Sequence, residues 1–135
     1  MKKRILTAIM LGIVTSNNLF ANEPKVLNPL EVLQKSPIFK VVSAAEFKKL
    51  MTKKGVQLID VRTPQEYSNG KIGNAKNIDF YSSSFKTDIN KLDKSKPVLV
   101  YCHSGNRSGQ AVNMMKSMGF TEVYDLKGGW SNWPK

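Results

Sequence analysis

The sequence predicts an α/β domain built on a mainly parallel sheet, and three observations predict it. Short apolar runs rich in β-branched residues alternate with stretches of helical period, at intervals that suit crossover connections. Cap and breaker residues, among them Ser43, Gly55, Thr63-Pro64 and Gly119, fall between those runs. The chain has 135 residues with 41% hydrophobic and 23% charged content, which suits one ordinary globular domain rather than a disordered segment.

Taken in order, residues 1–21 read as a leader. Met1-Lys2-Lys3-Arg4 is a basic start, residues 5–14 are an apolar run, Ser16-Asn17-Asn18 breaks it, and Leu19-Phe20-Ala21 offers a cleavage after Ala21. A membrane span needs about 20 apolar residues, roughly twice that run. The expectation is therefore a cleaved secretory signal with no stable membrane insertion afterwards, and a protein exported to the periplasm or secreted. Residues 22–37, punctuated by Pro24, Pro29 and Pro37, form a lead-in, either a linker or a strap, and the folded domain is expected over residues 38–135.

Residues 38–42 read as an edge strand. Ser43 with Glu46 fits a capping box, Phe47, Leu50 and Met51 mark the inner face of a short helix, and Gly55 ends it. Residues 56–61 (VQLIDV) are the next strand, and Thr63-Pro64 opens a second helix, with Pro64 where a missing N–H costs little. Arg62 and Glu66, four apart, are expected to pair across that turn. Residues 75–78 give a short strand. Phe85, Ile89 and Leu92 recur at helical spacing, residues 98–101 form a wholly apolar strand, and Ala111, Val112, Met114, Met115 and Met118 mark a longer helix that starts near Arg107 and Ser108. Residues 122–125 are the last strand, and the segment after it ends in Trp133, expected to clasp the core.

The chemistry concentrates in PVLVYCHSGNRSG, residues 97–109. The strand ends at Cys102, the only cysteine in the sequence, and a loop of small and polar residues runs into a helix. The thiolate is the nucleophilic form of cysteine, and a helix N-terminus, loop N–H groups and Arg107 all favour it. The same N–H groups form an anion-binding concavity that Gly105 makes sterically accessible. The alternative is an inert cysteine at the end of a core strand, but His103, Ser104, Gly105, Asn106, Arg107 and Ser108 supply donors, not an apolar wall. In open α/β sheets ligands sit beyond the carboxyl ends of the strands, where both Cys102 and the Asp60-Val61-Arg62 turn lie. Asp60 and Arg62 are thus candidate supporting residues.

Composition narrows the function class. One cysteine cannot form an internal disulfide, and in an exported protein it suggests a reactive thiol or an intermolecular partner; a self-contained dithiol oxidoreductase is not expected. The formal charge is +11, with Lys48, Lys49, Lys53 and Lys54 the densest group. Such charge steers small anions to a site. No stacking aromatics interleave with the lysines, so nucleic acid is not an expected partner. His103 stands as the single histidine, and no metal site is expected.

Four stretches, in order, resemble the rhodanese family of sulfurtransferases. Leu58-Ile59-Asp60-Val61-Arg62 with Glu66-Tyr67 is similar to its first signature. The run from Gly70 to Ile78 (GKIGNAKNI) is similar to the second, with Lys71 where the family usually has histidine. Residues 100–108 (VYCHSGNRS) resemble the active-site loop, and Leu126-Lys127-Gly128-Gly129 with Trp133 the C-terminal signature. The resemblance implies a rhodanese-like fold, a mainly parallel five-stranded sheet flanked by helices on both faces. It implies that Cys102 takes a sulfane sulfur from a small anionic donor such as thiosulfate as a persulfide, and passes it to a thiophilic acceptor, cyanide or a thiol, with a protein thiol as a possible partner. Residues from His103 to Ser108 would bind the substrate, Arg107 would orient the loop and help bind the donor, and no metal or organic cofactor would be needed. Two rivals remain open: a persulfide carrier or docking module using the same loop, and a phosphatase, which the loop spacing disfavours because four residues rather than five separate Cys102 from Arg107.

Overall fold

Val98, Leu99, Val100 and Tyr101 are all fully buried, so the strand they form must lie inside a sheet covered on both faces. The structure, a computed structural model, describes residues 36–135. The expected leader and the lead-in up to residue 35 lie outside the described residues. The five strands are β1 (Ile38–Val42), β2 (Gln57–Asp60), β3 (Lys76–Asn77), β4 (Val98–Tyr101) and β5 (Glu122–Leu126). Their order is β1-β5-β4-β2-β3, and every neighbouring pair is parallel. In register, Tyr101 of β4 stands beside Asp60, and Val100 beside Asp125.

Alternation along each strand sorts the core into two layers. Helix α1 (Ala44–Leu50) covers one face, where Phe47 packs with Leu58, Leu99, Tyr101, Tyr124 and Leu126. Helix α3 (Phe85–Asn90) and helix α4 (Asn106–Ser117) cover the other, placing Phe85, Ile89, Ala111 and Met115 against Ile59, Val61, Val98, Val100 and Val123. Each buried Val, Leu, Ile, Phe or Met side chain among them contributes about 1.5–3 kcal/mol. Helices therefore flank a five-stranded parallel sheet on both faces, as expected. Trp133 meets Phe47 edge to face with ring centroids 6.0 Å apart, which is the expected clasp. No helix among the described residues is long and apolar enough to cross a membrane.

Local differences have local causes. Ser43 caps α1 by accepting from the Glu46 amide at 3.2 Å. The complete reciprocal box occurs at α2 (Pro64–Ser68), where Thr63 Oγ1 accepts from the Glu66 amide and the Glu66 carboxylate accepts from the Thr63 N–H. Strand β3 is shorter than expected, because only Lys76 and Asn77 pair with β2 while Ala75 and Ile78 turn inward as core residues. Helix α4 begins at Asn106, just after Gly105 turns the chain at φ 107°.

Candidate active site

Strand β4 carries Cys102 out of the sheet centre, and the left-handed turn at Gly105 folds the loop back over the sulfur. The Gly105 N–H donates to Cys102 Sγ at 3.0 Å, and Ser108 Oγ lies 3.3 Å from it. Burial works against ionisation of this thiol. The Ser108 hydroxyl and the N–H groups of Ser108, Gly105 and Ser104 outweigh that penalty, so the thiol is more acidic than an ordinary cysteine. The expected convergence of loop donors on one sulfur is what the structure contains. Cys102 itself is buried, but the next two residues, His103 and Ser104, are exposed and set the sulfur just beneath the surface.

Arg107 is held in place from outside the loop. Its Nη1 and Nη2 donate to Glu66 Oε2 and Oε1 at 2.7 and 2.9 Å, a bidentate pair joining the first turns of α2 and α4. The hydrogen bonds from Arg107, against a partial cost of burial, hold the Glu66 carboxyl down to about 2. The expected Arg62–Glu66 pair is thus corrected. The capping box turns Glu66 towards Thr63 and the loop, whereas Arg62 folds back on its own strand. Exposed Tyr81 lies beside Arg107, with the guanidinium 5.6 Å from its ring centroid, so this cation and an aromatic ring stand together.

Asp60 and Arg62 lie within the core, behind the C-terminal turn. They form a fully buried pair, Arg62 Nη2 to Asp60 Oδ2 at 2.7 Å, and Nη2 also donates to the Gly70 carbonyl at 2.6 Å. The Arg62 guanidinium sits 4.5 Å from the Trp130 ring centroid. Trp130 in turn donates its backbone N–H to the Cys102 carbonyl at 2.8 Å, and the Ser131 N–H and Oγ both donate to the His103 carbonyl at 3.0 Å. The turn carrying them passes so close that any Cβ on Gly129 would run into the Cys102 and His103 carbonyls. Arg62 thus packs on the residue whose N–H holds the Cys102 carbonyl, and the hydrogen bonds of its side chain go to Asp60 and Gly70 rather than to the loop.

The remaining expected residues divide. Ser104 and Gly105 serve Cys102 through backbone N–H groups and Ser108 through its side chain as well. His103 is exposed and engages its carbonyl, not its ring, with the C-terminal turn. Asn106 is exposed, and its side chain accepts from Gln110 one turn along α4 at 2.8 Å. Neither side chain is bonded to the sulfur. Lys71 packs on Tyr67, donating to its hydroxyl at 3.1 Å, while Tyr67 donates to the Ala75 carbonyl at 2.7 Å. Two participants are not evident from local sequence. Glu66 is legible as the N3 residue of Thr63-Pro64-Gln65-Glu66 but not as the Arg107 partner. The Gly129–Ser131 clamp depends on tertiary contact.

Known proteins agree with this geometry. A family model described as the rhodanese-like domain matches residues 43–135. The chain is 41% identical over 96 residues to the uncharacterized protein YqhL of Bacillus subtilis, covering 71% of this chain and 73% of that protein. It is 34% identical over 96 residues to a protein of Coxiella burnetii named thiosulfate sulfurtransferase GlpE, covering 71% of this chain and 88% of that protein. Among solved structures, a rhodanese-related protein from Thermoplasma volcanium superposes with a TM-score of 0.61 at 31% identity, covering 70% of this chain and 89% of the other. A rhodanese-like domain protein from Staphylococcus aureus does so with a TM-score of 0.63 at 29% identity, covering 71% and 92%. Sheet order, cysteine cradle and relatives converge, and the chain belongs to the rhodanese-like domain family.

Proposed function

We propose that the protein is a sulfurtransferase that moves a sulfane sulfur from thiosulfate, or a donor of the same chemistry, to cyanide or a thiol through a persulfide on Cys102. The observation that carries this reading is the cradle around Cys102, where the Gly105 N–H donates to Sγ at 3.0 Å and Ser108 Oγ lies 3.3 Å away. The Cys102 thiolate attacks the outer sulfur of thiosulfate. The new Sγ–S bond forms as the old S–S bond breaks, and sulfite leaves with the electron pair. The outer persulfide sulfur is then attacked by the acceptor; with cyanide, thiocyanate departs and the thiolate returns. The loop N–H groups offset negative charge on sulfur in both steps, as an oxyanion hole does for oxygen. Glu66 takes both Nη groups of Arg107 and so fixes the guanidinium at the loop, where its charge favours an anionic donor. The six-residue span from Cys102 to Arg107 favours sulfur over the wider phosphoryl group.

The test is thiocyanate formation from thiosulfate and cyanide by the mature protein and by Cys102→Ser. The expected result is turnover that falls at least about a thousandfold in the variant, since it lacks the nucleophile. Equal turnover in the variant would overturn the assignment. A sulfur adduct that cyanide does not discharge would identify a carrier serving a protein thiol. We propose further that the protein works after export, in the periplasm or outside the cell, on the strength of the leader pattern in residues 1–21. N-terminal sequencing of the protein from fractionated cells should find a start just after Ala21, and an intact Met1 in the cytosolic fraction would contradict this.

A further inference from the structure

Behind the cradle lies an acid that the sulfur chemistry above does not use. Asp125 sits in mid-β5 beside Val100 and Val41, is 4% exposed, and leaves its Oδ1 with no hydrogen-bond partner. A buried acceptor in that condition is costly unless it is protonated or finds a donor. Its Oδ2 lies against the first turn of α4, 3.9 Å from where a Cβ on Gly109 would stand, and the Ser108 hydroxyl and the Leu126 N–H are the groups that favour its ionised form. Ser108 is itself fully buried in the first turn of α4, with its Oγ 3.3 Å from Cys102 Sγ. A hydroxyl has a single proton to donate. It can serve the sulfur or the carboxylate, but not both.

We propose that Asp125 is a positioning residue that sets, through Ser108, how strongly the Cys102 sulfur is held as a thiolate. The proposal rests on the reading of Cys102 as the sulfur carrier. With Asp125 protonated, its O–H donates to Ser108 Oγ and the Ser108 proton stays on the sulfur. With Asp125 ionised, the Ser108 hydroxyl swings its proton to the carboxylate. The sulfur then keeps only its N–H donors and faces a second negative charge, so its affinity for a proton rises. Burial, only partly offset by Ser108 and Leu126, pushes the Asp125 carboxyl up to about 6. A cavity of about 230 Å³ lined by Asp125, Gly109, Val112, Asn113 and Lys116 gives the carboxyl a route for proton exchange.

The charged groups around this pair are few. Lys40 of β1 and Lys116 of α4 line the same cavity. Arg107, paired with Glu66, acts on Cys102 from the other side, and His103 adjoins it in the loop. Glu122, with its partners Lys53 and Tyr124, and Glu46 lie across the sheet, on the α1 face.

The test is the pH dependence of Cys102 alkylation by iodoacetamide, which reads the thiolate whether or not the protein transfers sulfur. The wild type should show two inflections, one near pH 6 from Asp125 and one from the thiol. Asp125→Asn should show only the thiol inflection, displaced to lower pH, with alkylation at neutral pH about three- to tenfold faster, the range one hydrogen bond supplies. Ser108→Ala should keep the ionisable acid yet flatten the lower inflection. An Asp125→Asn profile that superimposes on the wild type would overturn the proposal. If that variant does not fold, carboxyl NMR of the wild type decides. By linkage, capping Cys102 with iodoacetate, which leaves a negative charge at the site, must give a higher Asp125 titration midpoint than capping with iodoacetamide, which leaves none, and equal midpoints would overturn the proposal. Loss of thiocyanate turnover with the coupled profile intact would count against the sulfurtransferase reading alone.

Discussion

At the scale of single residues, the site is a contest between burial and hydrogen bonding at one sulfur. Cys102 is almost wholly enclosed, which by itself favours the neutral thiol, and the donors from Ser108, Gly105 and Ser104 reverse that preference. Replacing Ser108 by alanine removes one donor and leaves three N–H groups. The thiol should therefore become less acidic where Asp125 is protonated and Ser108 serves the sulfur in the wild type, and alkylation at pH 5 should slow about three- to tenfold. Glu66 acts at one remove. Glu66→Gln breaks the bidentate clamp on Arg107, and kcat/KM for thiosulfate should fall about tenfold, with KM carrying most of the change. Cys102, the loop donors and Arg107 were legible because their chemistry is local: a cysteine, a glycine and a helix start within one short stretch. The partner of Arg107 was not. The spacing of Arg62 and Glu66 suggested a pair, but four-residue spacing brings side chains together only within a helix, and Arg62 precedes α2 while Asp60, two residues earlier, ends β2 within its reach.

Elements hold the loop from both ends. Strand β4 was recognisable from its unbroken apolar run, and its central place in the sheet follows from burial of all four residues. The C-terminal turn was recognisable only as a motif, since nothing in Gly128-Gly129-Trp130 says which carbonyls it will meet. It bonds the Cys102 and His103 carbonyls and so fixes the loop's backbone while leaving its N–H groups free for the sulfur. Gly129 holds φ 58° with no room for a Cβ. Gly129→Ala should destabilise the fold by at least about 2 kcal/mol, through the left-handed backbone and the displaced carbonyls. Thermal unfolding would check the first effect. The second should appear as a slower alkylation of Cys102 in the variant that remains folded.

Across the whole molecule, charge and pH connect the site to stability. Glu66 is more acidic folded than unfolded, so its contribution is present above its unfolded value near 4.5 and is lost as the pH falls towards about 2. Asp125 has the opposite sign. Its folded value is raised to about 6 from 3.8, so the native state binds the extra proton between those values and stability falls as the pH rises through that window. Asp125→Asn should therefore raise the Tm at neutral pH and remove the loss between about pH 4 and 6; denaturant midpoints at pH 4, 6 and 8 would show it. A formal charge of +11 over the full sequence implies steering of anionic donors. Added salt should accordingly lower kcat/KM for thiosulfate more than for a neutral alkylating agent.

Every step proposed for the site begins with Cys102 accepting sulfur. The most direct measurement is the intact mass of the protein after thiosulfate, before and after cyanide, with Cys102→Ser in parallel. The predicted result is a gain of one sulfur atom on the wild type, none on the variant, and loss of that sulfur on adding cyanide. A wild type that gains no sulfur from thiosulfate, or a variant that gains it equally, would contradict the account.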